Sequence, residues 1–107
     1  MREYTGKNYR GSDLPTSFKQ MANAEKRRLK KIFEGRGCTD FVMNYGFWYF
    51  SGFFTAPNGQ IWYFHSGDVR GGYRRLLLRT ATSYQDYTGG VNQYCAKDTN
   101  SLKNFRL

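Results

Sequence analysis

FWYFSGFFTAPNGQIWYFHS, residues 47–66, holds two aromatic runs joined by a turn signal. Ala56-Pro57-Asn58-Gly59 pairs a proline that presets φ with two residues that tolerate the left-handed region. The flanking runs, 47–55 and 60–66, are rich in Phe, Trp and Tyr, a strand composition. The stretch predicts an antiparallel β-hairpin turning at Pro57-Asn58-Gly59. It lies in a longer interval, 41–67, that carries no formal charge. That interval does not read as a membrane span. Asn44, Asn58 and Gln60 interrupt it, and the turn divides it into halves too short to cross.

Toward the N-terminus, residues 40–45 alternate, with Phe41, Met43 and Tyr45 on one side, as in a strand. Asn44-Tyr45-Gly46 then serves as a tight turn into a strand running from Phe47 to Thr55. Before this lies a helix. Thr16 or Ser17 is its expected N-cap and Gly35 its expected stop. Phe18, Met21, Ala22, Leu29, Ile32 and Phe33 fall near one stripe at helical period, with Glu25 interrupting it. Residues 1–15 read as an N-terminal arm.

Toward the C-terminus, Gly71-Gly72 breaks the chain. Residues 73–81 suit a strand or a short helix, and Thr80, Thr82 and Tyr84 favour the strand. Residues 86–90 form a loop by their glycines, and 91–95 a last short strand. Residues 100–107 read as a tail. The expected architecture is α+β: one amphipathic helix packed on an antiparallel sheet of four or five strands, a single domain over residues 16–99.

A chain of 107 residues has room for one core. Its 17 Lys and Arg oppose 8 Asp and Glu, for a net charge of +9. Such an excess favours a polyanionic partner: nucleic acid, an acidic protein face or an anionic membrane surface. Two cysteines, Cys38 and Cys95, lack CxxC spacing and a nearby histidine, so they read as reduced thiols rather than zinc ligands. The polar N-terminus lacks the apolar core of a secretion signal, and a cytoplasmic protein is expected.

Three constellations carry possible chemistry. The first is basic: Lys26, Arg27, Arg28, Lys30 and Lys31 on the helix, then Arg70, Arg74, Arg75 and Arg79. Such residues neutralise phosphates. The ordinary alternative is a solvated helix face with surface arginines. The second is aromatic: Trp48, Tyr49, Trp62 and Tyr63 on paired strands, suited to stacking on bases or to a protein interface. The alternative is that both sheet faces are core. The third is polar: His65 with Asp68 for acid–base work, or Asp68 with Asp86 for a metal. Loop capping and salt bridges to Arg70 and Arg79 explain those aspartates better. No cofactor, metal or catalytic residue is therefore expected.

The runs Ser51-Gly52-Phe53-Phe54, Gly67-Asp68-Val69-Arg70, Leu78-Arg79-Thr80-Ala81, Asp86-Tyr87-Thr88-Gly89-Gly90 and Asn92-Gln93-Tyr94 resemble small accessory proteins of phages and conjugative elements of gut bacteria. The resemblance covers the C-terminal half. It implies a bacterial cytoplasmic setting, where such proteins bind nucleic acid or inhibit host defence, as anti-CRISPR proteins do. It assigns no activity. The leading expectation is a basic, aromatic-rich module that binds nucleic acid or a nucleoprotein complex. The alternatives are a protein-binding inhibitor of a host defence nuclease and, third, a small nuclease.

Overall fold

The computed structural model describes residues 16–71, 76–87, 93–96, 102, 105 and 107. Helix α1 (Thr16–Gly35) is followed by strands β1 (Thr39–Tyr45), β2 (Phe50–Thr55), β3 (Ile61–His65), β4 (Leu76–Ala81) and β5 (Tyr94–Ala96), with one 3-10 turn at Val69–Gly71. The strands form a single antiparallel sheet in the order β1-β2-β3-β4-β5. This is the α+β arrangement that the patterning predicts. Among the described residues no helix is long and apolar enough to cross a membrane. The expected arm, 1–15, lies outside the described residues, as do Arg74, Arg75 and the Gly89-Gly90 part of the predicted loop.

Helix α1 buries Phe18, Ala22, Glu25, Leu29 and Phe33, a spacing of three or four residues that keeps one side inward. Met21 and Ile32 pack at its margins. The helix runs to Gly35, and its cap forms at Gly37 rather than at Gly35. The Gly37 N–H bonds to the Glu34 carbonyl at 3.0 Å, and the Cys38 N–H to the Phe33 carbonyl at 3.0 Å. Those two bonds, with Gly37 at φ 85°, make a Schellman cap whose left-handed residue is Gly37. Buried Cys38 then packs into the same core cluster as Phe33.

The central hairpin forms where its turn chemistry places it. Thr55 pairs with Ile61. The Gly59 N–H reaches the Ala56 carbonyl at 2.9 Å, and the Ala56 N–H reaches the Gln60 carbonyl at 2.8 Å. Gly59 sits at φ 88°, which fits a type I turn closed by a left-handed residue.

The turn before this hairpin differs from the expectation. Asn44 and Tyr45 belong to β1, and the chain reverses over residues 46–49, so Phe47, Trp48 and Tyr49 are turn residues rather than strand. The Gly46 N–H donates to the Tyr49 carbonyl at 2.8 Å, and Trp48 takes φ 64°. The Val69 N–H donates to the Trp48 carbonyl at 2.9 Å, so a distant segment holds that backbone in place.

Alternation along the paired strands decides what each face carries. One face presents Phe50, Phe54, Trp62, Phe64, Leu76 and Leu78 to the helix. The Phe33 ring stacks on Phe54 with centroids 4.0 Å apart. The segment expected to be a tail contributes to this core. Leu102 is fully buried, and Phe105 packs edge-on against Trp62 at 5.0 Å. Apolar burial outweighs the polar composition of residues 100–107, which alone suggests a tail. At the open edge, β1 carries a register shift between Thr39 and Val42, with Asp40 at φ 57°.

Candidate functional site

Lys26, Arg27, Arg28, Lys30 and Lys31 are all exposed, while Leu29 among them is fully buried. At about 100° per residue, the five cations fan across the side of α1 opposite Leu29. Lys26 and Lys30 fall on one flank, Arg28 on the other, and Arg27 and Lys31 between them. Of the five cations, Arg28 is offset by an acid of the helix. Glu25 is turned into the packed side, with 4.0 Å between its carboxylate and the Arg28 guanidinium. Glu34, the other acid, is exposed beyond the cluster near the helix end. Glu25 stands three residues after Ala22 and four before Leu29, in phase with the apolar stripe. That phase is the sequence signal that it points inward.

Arg70 lies elsewhere, on the loop after β3. Its Nε donates to both Asp68 carboxylate oxygens, at 3.0 and 3.1 Å. These hydrogen bonds hold the Asp68 carboxyl below its ordinary range. The guanidinium carbon also lies 5.8 Å from the Phe47 ring and 5.6 Å from the Trp48 ring. Trp48 in turn packs edge-on against Phe18 of the helix at 5.4 Å. Arg70 and Trp48 thus form one cluster at the end of the sheet where β1 turns into β2.

Arg79 is 3% exposed, so it is an internal residue rather than a surface cation. Its Nη2 donates to the Asp86 carbonyl at 2.6 Å, and its Nη1 lies 3.6 Å from the Asp86 carboxylate. Its guanidinium carbon lies 4.4 Å from the Tyr63 ring centroid. Burying a guanidinium is tolerated when charge and hydrogen bonds are supplied together, as here. The contact ties residues 82–87 to the sheet face away from the helix.

The four aromatic residues read as one platform do not share a surface. Trp62 is 9% exposed and faces the helix side. Tyr63, its neighbour, faces the opposite side, where it meets Phe53 at 5.2 Å and Tyr87 at 5.9 Å. Tyr49 also lies there, stacked on His65 at 4.6 Å. This second face is therefore partly covered. Phe53 is buried, and the Tyr84 hydroxyl lies 2.6 Å from the Thr55 hydroxyl oxygen, while Tyr87 remains exposed. Tyr84 and Tyr87 belong to a loop, and period-2 patterning gives no signal for where loop side chains return.

His65 accepts the Gly67 N–H at Nδ1, 2.8 Å away, which places the proton of the neutral ring on Nε2. Burial lowers its pKa. Asp68 is engaged by Arg70, and Asp86 by Arg79 and the Thr82 N–H. Among the described residues, no group of three or more His, Cys, Asp or Glu gathers where it could hold a metal. Cys38 is buried and Cys95 exposed, both as free thiols. Burial pushes the Cys38 thiol up. Among the described residues, five exposed cations gather on α1, and Arg70 lies apart from them. No protein-family model, curated protein or solved structure matches the chain.

Proposed function

We propose that the protein binds nucleic acid through the solvent side of α1, using Lys26, Arg27, Arg28, Lys30 and Lys31 as phosphate contacts. The observation that carries this reading is the exposure of all five cations in a stretch where no acid intervenes. Each phosphate neutralised releases condensed counterions, so such binding is driven by charge and weakens with salt. The aromatic residues have other work in this reading. Trp62 and Trp48 support the core, and Tyr49 and Tyr63 lie on the far face. No catalytic step is assigned. The proposed setting is the bacterial cytoplasm implied by the resemblance to mobile-element proteins.

The test is charge reversal. The triple variant Arg27→Glu, Arg28→Glu, Lys31→Glu is expected to keep its fold by circular dichroism and to lose binding to random oligonucleotides in a gel-shift series across salt. For the wild type, five contacts give a slope of log K against log salt of about −4.5 on duplex DNA. A folded triple variant that binds like the wild type sinks the reading. Wild-type protein that ignores nucleic acid, but captures an acidic protein through the same side chains, makes the inhibitor the better description.

A further inference from the structure

We infer that α1 is a recognition helix that enters the major groove of duplex DNA; this rests on the nucleic-acid reading above and names its ligand. Three observations carry it. The first is the crest of the helix. Gln20, Asn23 and Arg27 are exposed and follow one another at spacings of three and four residues, so they line one ridge on the side away from Leu29. The side-chain amides of Gln20 and Asn23 suit paired hydrogen bonds to adenine edges in the major groove.

The second observation is the placement of charge about that ridge. Lys26 and Lys30 stand on one flank and Arg28 on the other, with Lys31 continuing the ridge, and all four are exposed. The major groove is about 12 Å wide, which admits an α-helix and sets a phosphate backbone along each side. Cations on both flanks of a helix meet both backbones at once. A single strand offers one backbone and leaves one flank without contacts. The major groove of duplex RNA is too deep and narrow for such side chains to read.

The third observation is what this surface lacks. Binding of single strands relies on aromatic rings set among cations, with each stacked base contributing about 1–3 kcal/mol. No aromatic residue among the described ones shares the cationic side of α1. Phe18 and Phe33 are buried in the core, and Tyr49 and Tyr63 lie across the sheet. Ridge, flanks and absent rings all select the same ligand.

The test uses the full chain with fluorescent probes of one length: duplex DNA, single-stranded DNA and duplex RNA. Duplex DNA is expected to bind about tenfold more tightly than either of the others, because the second flank is engaged only there. Methyl green, which occupies the major groove, should displace the protein, and netropsin, which occupies the minor groove, should not. Selection from a random duplex pool should enrich a preferred sequence. Asn23→Ala should flatten that preference while leaving the salt slope unchanged, whereas Lys26→Ala with Lys30→Ala should reduce the slope by about two. Equal or tighter binding to single strands or duplex RNA overturns the inference while the phosphate-binding reading stands. Displacement by netropsin instead of methyl green does the same. Failure of the wild type to bind any of the three probes removes the phosphate-binding reading itself.

Discussion

His65 shows how one side chain links the sheet to the loop beyond it. Its Nδ1 accepts the Gly67 N–H, and its ring lies against Tyr49. A proton added at Nδ1 would put two donors face to face and break that bond. Burial already lowers the folded pKa below the ordinary 6.5. The unfolded chain therefore takes the proton first as pH falls through about 6.5. Above that value both states are neutral and the group contributes no pH dependence. Stability should fall as pH drops from 6.5 toward the folded value. Urea denaturation across this window should show the decline in the wild type and a flatter profile in His65→Gln. An identical decline in both would assign the effect to another group. Arg79 makes a related point about legibility. As a letter it belongs with the other arginines, yet its strand position turns it toward Tyr63 and Asp86. A charged residue declares itself internal only once its neighbours across the sheet are known.

Elements with a local cause were legible in the sequence. The hairpin between β2 and β3 follows from Pro57, Asn58 and Gly59, whose backbone preferences act without help from the rest of the chain. Helix α1 follows from its period. The turn at 46–49 was not legible, because Phe47, Trp48 and Tyr49 have strand composition and their conformation depends on Val69. The helix stop was displaced by two residues for a similar reason. Gly35 and Gly37 are equally good candidates as letters, and Cys38 entering the core selects the second. The inward face of α1 can be tested directly. Leu29 is fully buried in the main cluster. Leu29→Ala should cost about 2–5 kcal/mol in chemical denaturation. A change within about 0.5 kcal/mol, the ordinary range at surface sites, would mean that α1 is rotated from the orientation described.

The molecule as a whole separates what its composition mixes. The basic helix side lies outermost on one layer, and the tyrosine-rich sheet face looks the other way, with the phenylalanine core between them. The outward placement of the helix cations was legible because the buried positions Ala22, Glu25, Leu29 and Phe33 recur every three or four residues. The placement of the aromatic residues was not, because Trp62 and Tyr63 are consecutive on a strand and cannot share a face. Trp62→Ala tests the separation. The ring is packed against Phe105, so its loss should cost about 3–5 kcal/mol of stability. The folded fraction should bind nucleic acid as the wild type does. Weakened binding at unchanged stability would instead put Trp62 in the interface.

The order of strands across the sheet is their order along the chain, with no crossover. A polypeptide leaving the ribosome can therefore build the sheet vectorially. Each strand emerges beside the one that precedes it, and nothing already paired must open to admit a later arrival. Synthesis proceeds at about 5–20 residues per second, while a hairpin closes in about 1–10 μs, so pairing keeps pace with translation. The helix is made before the sheet that it packs on, and Leu102 and Phe105, which follow β5, close the core. Nascent chains halted before Leu102 should thus carry a paired sheet with an unsealed interior.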